Sequence, residues 1–228
     1  MQTPSQKTLS NLMGECLHKS LHLYFYNIQT GSHQKEPFAP LYAHLDEFFR
    51  AMKKSGKLKG KRVYVDGWTQ NQIENWVIGA VRRMVQFLEK EQISWFQEEW
   101  PLDMIYMDET GRHVVHLGQP DLVAFSQKRQ AYLVLDFKTA TSTENYLNRE
   151  TRSGPTKRNK LLGYAYGARQ KLMFRQKWDM KPITIGYVVF IREKIQKGRM
   201  PKMEVLTEEV LPGRLEEWKT AYMARLKT

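Results

Sequence analysis

The nine residues Ala131 to Thr139, AYLVLDFKT, constrain this chain more than any other stretch. Side chains alternate across a β-strand, so Tyr132, Val134, Asp136 and Lys138 share one face while Leu133, Leu135 and Phe137 share the other. A carboxylate and an ammonium therefore end up side by side at the end of an otherwise apolar strand. Such a placement is costly unless each group is paired or binds something charged.

The neighbouring sequence supplies the rest of a layered fold. Leu9, Leu12, Cys16, Leu17, Leu21 and Tyr24 repeat at helical spacing over residues 7 to 25, with Thr8 or Ser10 near the start. A second helix is expected from Leu41 to Met52 after Pro40, with Leu45, Phe48 and Phe49 inward. A third is expected from Asn71 to about Lys90, striped by Ile73, Trp76, Val77, Ala80, Val81, Met84, Phe87 and Leu88. Three strand segments follow, Ser94–Met107, His113–Phe125 and Ala131–Thr139, separated by turns at Asp108–Gly111 and Gln127–Arg129. They predict an antiparallel meander. Residues 141 to 159 are polar, contain Gly154-Pro155, and predict a long loop that orders when a ligand arrives. A helix over Leu161–Phe174, strands at Ile183–Ile191 and Met203–Leu206, and a helix over Leu215–Leu226 complete the order. The expectation is an α/β fold, a mixed central sheet with helices on both faces. At 228 residues the chain suits one domain, with residues 1 to 92 as a helical N-terminal elaboration.

Charge narrows the partners. Lys and Arg outnumber Asp and Glu by 36 to 24, giving a net charge of +12 and favouring a polyanion, with nucleic acid ahead of an anionic membrane surface. No apolar run approaches a membrane span, and the first 30 residues lack the pattern of a secretory leader, so a soluble cytoplasmic protein is expected. Residues 53 to 62 hold six basic residues and two glycines, which predicts a solvated connection. The GKLKGK text within it lacks the glycine spacing and the Ser or Thr of a phosphate loop. The single cysteine, Cys16, excludes internal disulfides and any multi-cysteine cluster built from this chain, and reads as a packing residue.

The chemistry centres on a second carboxylate. Asp121 follows Gly118-Gln119-Pro120, where proline removes a ladder donor, and a hairpin returns it beside Asp136. Two carboxylates forced together repel, and a magnesium ion holding waters and a substrate phosphate is the usual remedy. A metal between Asp121 and Asp136 would activate water, with Lys138 orienting that water or offsetting charge on the phosphorus. Glu99 or its neighbour Glu98 supplies a third carboxylate, with Glu99 preferred because it directly precedes Trp100-Pro101. His113 and His116, three apart on a strand, point to opposite faces and make a poor zinc pair.

Gly118-Gln119-Pro120-Asp121, fourteen intervening residues, and Asp136-Phe137-Lys138-Thr139 together resemble the PD-(D/E)XK nuclease superfamily, especially its RecB-type exonuclease branch. Thr8-Leu9-Ser10 with Leu12, Cys16, Lys19 and Tyr24 resembles that branch's opening helix, and Glu99-Trp100-Pro101-Leu102 its acidic strand start. Leu161 to Gln170 falls where the branch has a helix with glutamine and tyrosine four apart. The resemblance spans roughly residues 8 to 192. It implies a restriction-endonuclease-like core, magnesium or manganese dependence, a DNA substrate, and a place in DNA repair or recombination alongside protein partners.

The chain departs from the pattern at two points. Lys160 stands four before Tyr164 where the branch has glutamine, and Arg82 or Arg83, after Gly79, stands where it has a helical histidine. Arginine cannot bind metal but binds phosphate. Arg83, Lys157, Arg158, Lys160 and Tyr164 are therefore the expected nucleic-acid contacts, Arg149 and Arg152 adding charge and Tyr166 a second aromatic ring. No iron-sulfur cluster is expected, since its further cysteines are missing. The functional expectation is a metal-dependent deoxyribonuclease that trims DNA ends. The alternative is a DNA-binding subunit that keeps the fold with little or no turnover, and a site-specific endonuclease is a third use of the same metal site.

Overall fold

The computed structural model describes residues 8–31, 38–54, 64–65, 67–152, 155–174 and 181–226; for residues 39, 64, 65, 148–152 and 155–158 it describes the backbone alone. In chain order the elements are α1 (Leu9–Gln29), α2 (Ala39–Lys54), β1 (Tyr64–Val65), β2 (Trp68–Thr69), α3 (Gln70–Glu91), β3 (Ile93–Glu98), β4 (Leu102–Asp108) and β5 (Gly111–Gly118). Then come β6 (Leu122–Ser126), β7 (Ala131–Ala140), α4 (Thr143–Arg152), α5 (Pro155–Phe174), β8 (Ile183–Ile191), β9 (Met203–Val210) and α6 (Pro212–Leu226). The fold is α/β, built on a mixed five-stranded sheet in the order β3-β6-β7-β8-β9.

The chain divides into two compact units. One comprises Met1–Phe87, Lys138–Thr143 and Val189–Glu204, and the other Leu88–Phe137, Glu144–Val188 and Val205–Thr228. In the first, α1 packs against α2. Thr8 caps α1, its hydroxyl accepting the Asn11 amide at 3.4 Å, and the buried stripe of Leu12, Met13, Cys16, Leu17 and Leu21 follows helical spacing. Cys16 is fully buried, as a packing residue should be. The α3 stripe of Ile73, Trp76, Val77, Ala80, Val81 and Met84 is buried too, and the Trp76 indole donates to the Ile191 carbonyl at 2.8 Å. The short hairpin β1–β2 has no counterpart in the sequence expectations. Most of the basic connection, residues 55 to 62, lies outside the described residues.

The second unit holds most of the sheet. Here two expected long strands are each divided. Residues 93 to 126 form one hairpin whose strands both break at the same level, at Glu99–Pro101 and at Gln119–Asp121. Below the break β3 pairs with β6 antiparallel; above it β4 and β5 pair as a separate two-stranded sheet. Pro101 and Pro120 lack the amide a continuous ladder needs, and Gly118 and Glu99 take positive φ of 106° and 40°. The expected meander is thus replaced, above the break, by a hairpin tip that leaves the main sheet.

The expected loop over residues 141 to 159 is also corrected. Thr143–Arg152 is helical, and α5 begins at Pro155, six residues before the first expected helical residue. Proline suits a first helical position because its missing amide would have had no partner there. Glu144 sits in the first turn of α4, where the helix dipole favours an anion. Tyr146 is buried edge-on against Tyr187, with ring centroids 5.4 Å apart. Helical propensity in so polar a stretch is weak, and one buried aromatic supplies the anchor that periodicity did not reveal.

A single apolar cluster joins one sheet face to α5 and α6. Val123, Tyr132, Val134, Ile183 and Ile185 pack with Leu161, Leu162, Ala165, Ala168 and Leu172 of α5 and with Leu215 and Trp218 of α6. The two helices approach closely at Gly163, where a Cβ would meet the Trp218 ring at 2.9 Å.

Candidate active site

Strand register decides which acidic residues meet. In β6 and β7, Leu122 opposes Leu135 and Val123 opposes Val134, so continuing that register one step past the start of β6 sets Asp121 opposite Asp136. In β3 and β6, Glu98 opposes Leu122, and one step further Glu99 opposes Asp121, where the Glu99 amide donates to the Asp121 carbonyl at 3.3 Å. Glu99, Asp121 and Asp136 therefore form a row across three adjacent strands, at the level where the long hairpin breaks. Directly opposed residues point to one face of a sheet, and for Asp121 and Asp136 that face is the one holding Val123, Val134 and Tyr132. Past the end of β3, Glu99 turns through its left-handed φ and is exposed.

Each carboxylate has a distinct environment. The Phe137 amide donates to Asp121 Oδ2, which draws the Asp121 side chain onto the β7 backbone one residue past Asp136. Asp136 is only 4% exposed, and Lys160 Nζ lies 3.5 Å from its Oδ1. Lys160 also sits over the Tyr164 ring, 5.0 Å from its centroid. Burial lowers the pKa of the Lys160 ammonium, but the Tyr164 hydroxyl and the Asp136 charge outweigh burial and raise it. Lys160 is thus held charged beside a buried acid.

Tyr164 anchors this arrangement from below. It is 2% exposed, and a Cβ on Gly118 would come within 3.1 Å of its ring. Only glycine, at φ 106°, lets the Gly118-Gln119-Pro120 turn lie against the tyrosine and deliver Asp121 to the row. Sequence reasoning missed this contact, although the glycine before a proline and the lysine–tyrosine spacing were both visible.

The remaining expected residues are placed as follows. Lys138 is half-buried, two residues past Asp136 on β7, where the strand enters the other compact unit. Arg83 belongs to that unit as well, its Nε donating to the Pro201 carbonyl at 3.3 Å and its Nη1 to Gln86 Oε1 at 3.3 Å. Arg82 stands over the Phe38 ring, 5.2 Å from its centroid. Lys157 and Arg158 lie in the first turn of α5, and their side chains fall outside the described residues. Tyr166 is buried against Trp218 at 5.7 Å. His113 and His116 engage Asp108 at 2.8 Å and Asp103 at 2.9 Å on the hairpin tip.

Among the described residues no three His, Cys, Asp or Glu side chains stand together as a ready chelate. The oxygen donors of Asp121 and Asp136 nevertheless suit magnesium, which keeps several waters and takes one or two carboxylates with a substrate phosphate. No described helix is long and apolar enough to cross a membrane.

No family model matches the chain, and no curated protein matches it. Among solved structures the chain is similar to the crystal structure of SSO0001, at 10% identity over 93% of this chain and 86% of that one, with a TM-score of 0.31. That likeness is too slight to bear on fold or function.

Proposed function

We propose that this protein is a metal-dependent deoxyribonuclease of the PD-(D/E)XK type, hydrolysing phosphodiester bonds at DNA ends. The observation that carries the reading is the meeting of Asp121, just before β6, with buried Asp136 of β7, where the Phe137 amide holds Asp121 and Lys160 stands beside Asp136, with Glu99 next in line past the end of β3. Asp121 and Asp136 would hold the magnesium ion, with Glu99 as an outer third oxygen donor. When bound, the metal supplies Lewis-acid polarisation of the phosphate and a more acidic water. Asp136 brings a carboxylate already desolvated by burial, and Asp121 is fixed by the Phe137 amide. By strand alternation Lys138 shares the Asp136 face and would orient water or offset charge on the phosphate. The net charge of +12 attracts the polyanion and makes its capture salt-sensitive.

A second reading, a DNA-binding subunit with little turnover, is favoured by one specific contact. Lys160 already supplies a countercharge to Asp136, where the related branch has glutamine. Both readings are tested by incubating the purified full chain with end-labelled linear DNA and closed circular DNA in magnesium, manganese or chelator. The nuclease reading expects divalent-dependent shortening of the linear DNA, reduced on the order of 100-fold or more by Asp136→Ala and by Lys138→Ala. Absence of cleavage in wild type, or variants that cut as wild type does, overturns it. Salt-sensitive binding without cleavage then favours the second reading.

A further inference from the structure

The hairpin tip formed by β4 and β5 has two outer edges, and the chain treats them differently. Along β4, the Ile105 amide donates to Gln170 Oε1 at 3.0 Å, and the Gln170 side-chain amide donates back to the Ile105 carbonyl at 3.1 Å. Both backbone groups of Ile105 therefore point away from β5. Residues directly opposite in an antiparallel pair either exchange both bonds or turn both outward. Val114 opposes Ile105, and Arg112 and His116 lie two residues to either side of it, so all three direct their amides and carbonyls to the outer edge of β5. Among the described residues no strand pairs with that edge. Val114 is 60% exposed, with Arg112 and His116 exposed beside it.

An uncovered strand edge is a template for another strand, which is why such edges usually carry proline, repeated charge or a covering element. Gln170 covers β4, whereas β5 has no proline and presents valine at its centre. Its backbone and its charges together fit one partner strand, β5 of a second copy running antiparallel about a two-fold axis. With the axis at Val114, all three outward residues are engaged: Val114 meets the second copy's Val114, and Arg112 meets the second copy's His116. Registers shifted to either side leave one of them without a counterpart. Met104, Tyr106 and Val115 face the core, so Asp103, Ile105, Arg112, Val114 and His116 share the opposite, outer face. There Ile105 and Val114 of both copies form one apolar row. Arg112 makes no ion pair among the described residues. Its row continues across the axis to the second copy's His116 and then to Asp103, which His116 Nδ1 contacts at 2.9 Å. Two strand spacings, about 10 Å between backbones, are within the joint reach of an arginine and an aspartate side chain. We propose that the protein self-associates through this edge, β5 against β5 with Val114 on the two-fold axis, making one four-stranded antiparallel sheet. Such a dimer needs no catalysis and stands or falls apart from the nuclease reading.

The test is sedimentation velocity of the full chain over a range of concentrations. A short edge is a small interface, so a dimer with a dissociation constant on the order of 1–100 μM is expected. Val114→Pro removes only an outward amide, keeps the bonds within the hairpin, and should weaken the dimer by about 10-fold or more. Arg112→Glu and Asp103→Lys should each weaken it roughly 3- to 10-fold, and the double variant should regain most of that loss. These charge reversals carry the test if Val114→Pro fails to fold. Val114→Cys should give a reducible cross-linked dimer, because opposed hydrogen-bonded residues lie about 5.5 Å apart at Cα, within disulfide range. Met107→Cys, equally open to solvent but far from the axis, should not. A chain that stays monomeric at every concentration overturns the proposal and leaves the edge to a strand of another protein. A dimer indifferent to Val114→Pro and to both charge reversals, or equal cross-linking of the two cysteine variants, overturns it as well.

Discussion

The two halves of the hairpin spanning residues 93 to 126 handle charge in opposite ways. Below the break, β3 and β6 join the main sheet, and two acids near them, Glu91 and Asp136, are buried against basic partners. Glu91, 4% exposed at the end of α3, receives Arg129 Nε at 2.7 Å and Ser126 Oγ at 3.0 Å, and Asp136 faces Lys160. Above the break, β4 and β5 carry Asp103–His116 and Asp108–His113 pairs in solvent. Similar pairs of residue types therefore do different work. In the base, water is excluded and a missing partner leaves an expensive orphan; at the tip, water replaces a lost partner at little cost.

Breaking the junction between the halves should have the largest effect. Gly118→Ala places a Cβ against Tyr164 and forces alanine to a φ of 106°, so a loss of about 2–4 kcal/mol is expected from strain and overpacking together. Urea unfolding measures it, and a wild-type midpoint would show that the turn tolerates a side chain. Next comes the base itself. Arg129→Ala leaves Glu91 without its guanidinium and should cost about 2 kcal/mol, less than for a fully buried pair because Arg129 is about one-third exposed.

The Glu91 pair also predicts a pH dependence. Burial raises the Glu91 pKa, but hydrogen bonds from Arg129 and Ser126 outweigh it and hold the carboxyl below its ordinary value of 4.5. A depressed folded-state pKa contributes stability at pH above that value and loses it as pH falls through the lowered one. The gap between wild type and Arg129→Ala should therefore narrow on acidification, and a gap constant from pH 7 to pH ~3 would contradict the pairing. The smallest effect belongs to the tip. Thr110 and His113 hold the exposed Asp108 carboxyl down at about 2. Asp108→Ala should leave the urea midpoint at pH 7 unchanged, since solvent screens that pair. A large shift there would erase the contrast between the halves.

Local pattern made much of this chain legible. The α3 stripe and β8 stand close to where spacing put them, and β7 carries the acid–base alternation that singled out Asp136 and Lys138. The hairpin return of Asp121 toward Asp136 was readable too, because a short turn at Gln127–Gln130 fixes the register of β6 on β7. What escaped was set by distant partners. Helix α4 depends on Tyr146 reaching Tyr187, 41 positions away in sequence, and polar composition there resembles a loop. The paired breaks at Glu99–Pro101 and Gln119–Asp121 required knowing that those two segments lie opposite one another.

By itself the sequence determined the class of fold, the basic character and the strand that brings Asp136 and Lys138 onto one face, because charge is additive and side-chain alternation is local. Tertiary structure decided what stands around that strand. It set Lys160 against Asp136, laid Tyr164 on Gly118, and drew Glu99 into register with Asp121. Each of those contacts joins residues 22 or more positions apart, where no periodicity operates and packing alone selects the neighbour.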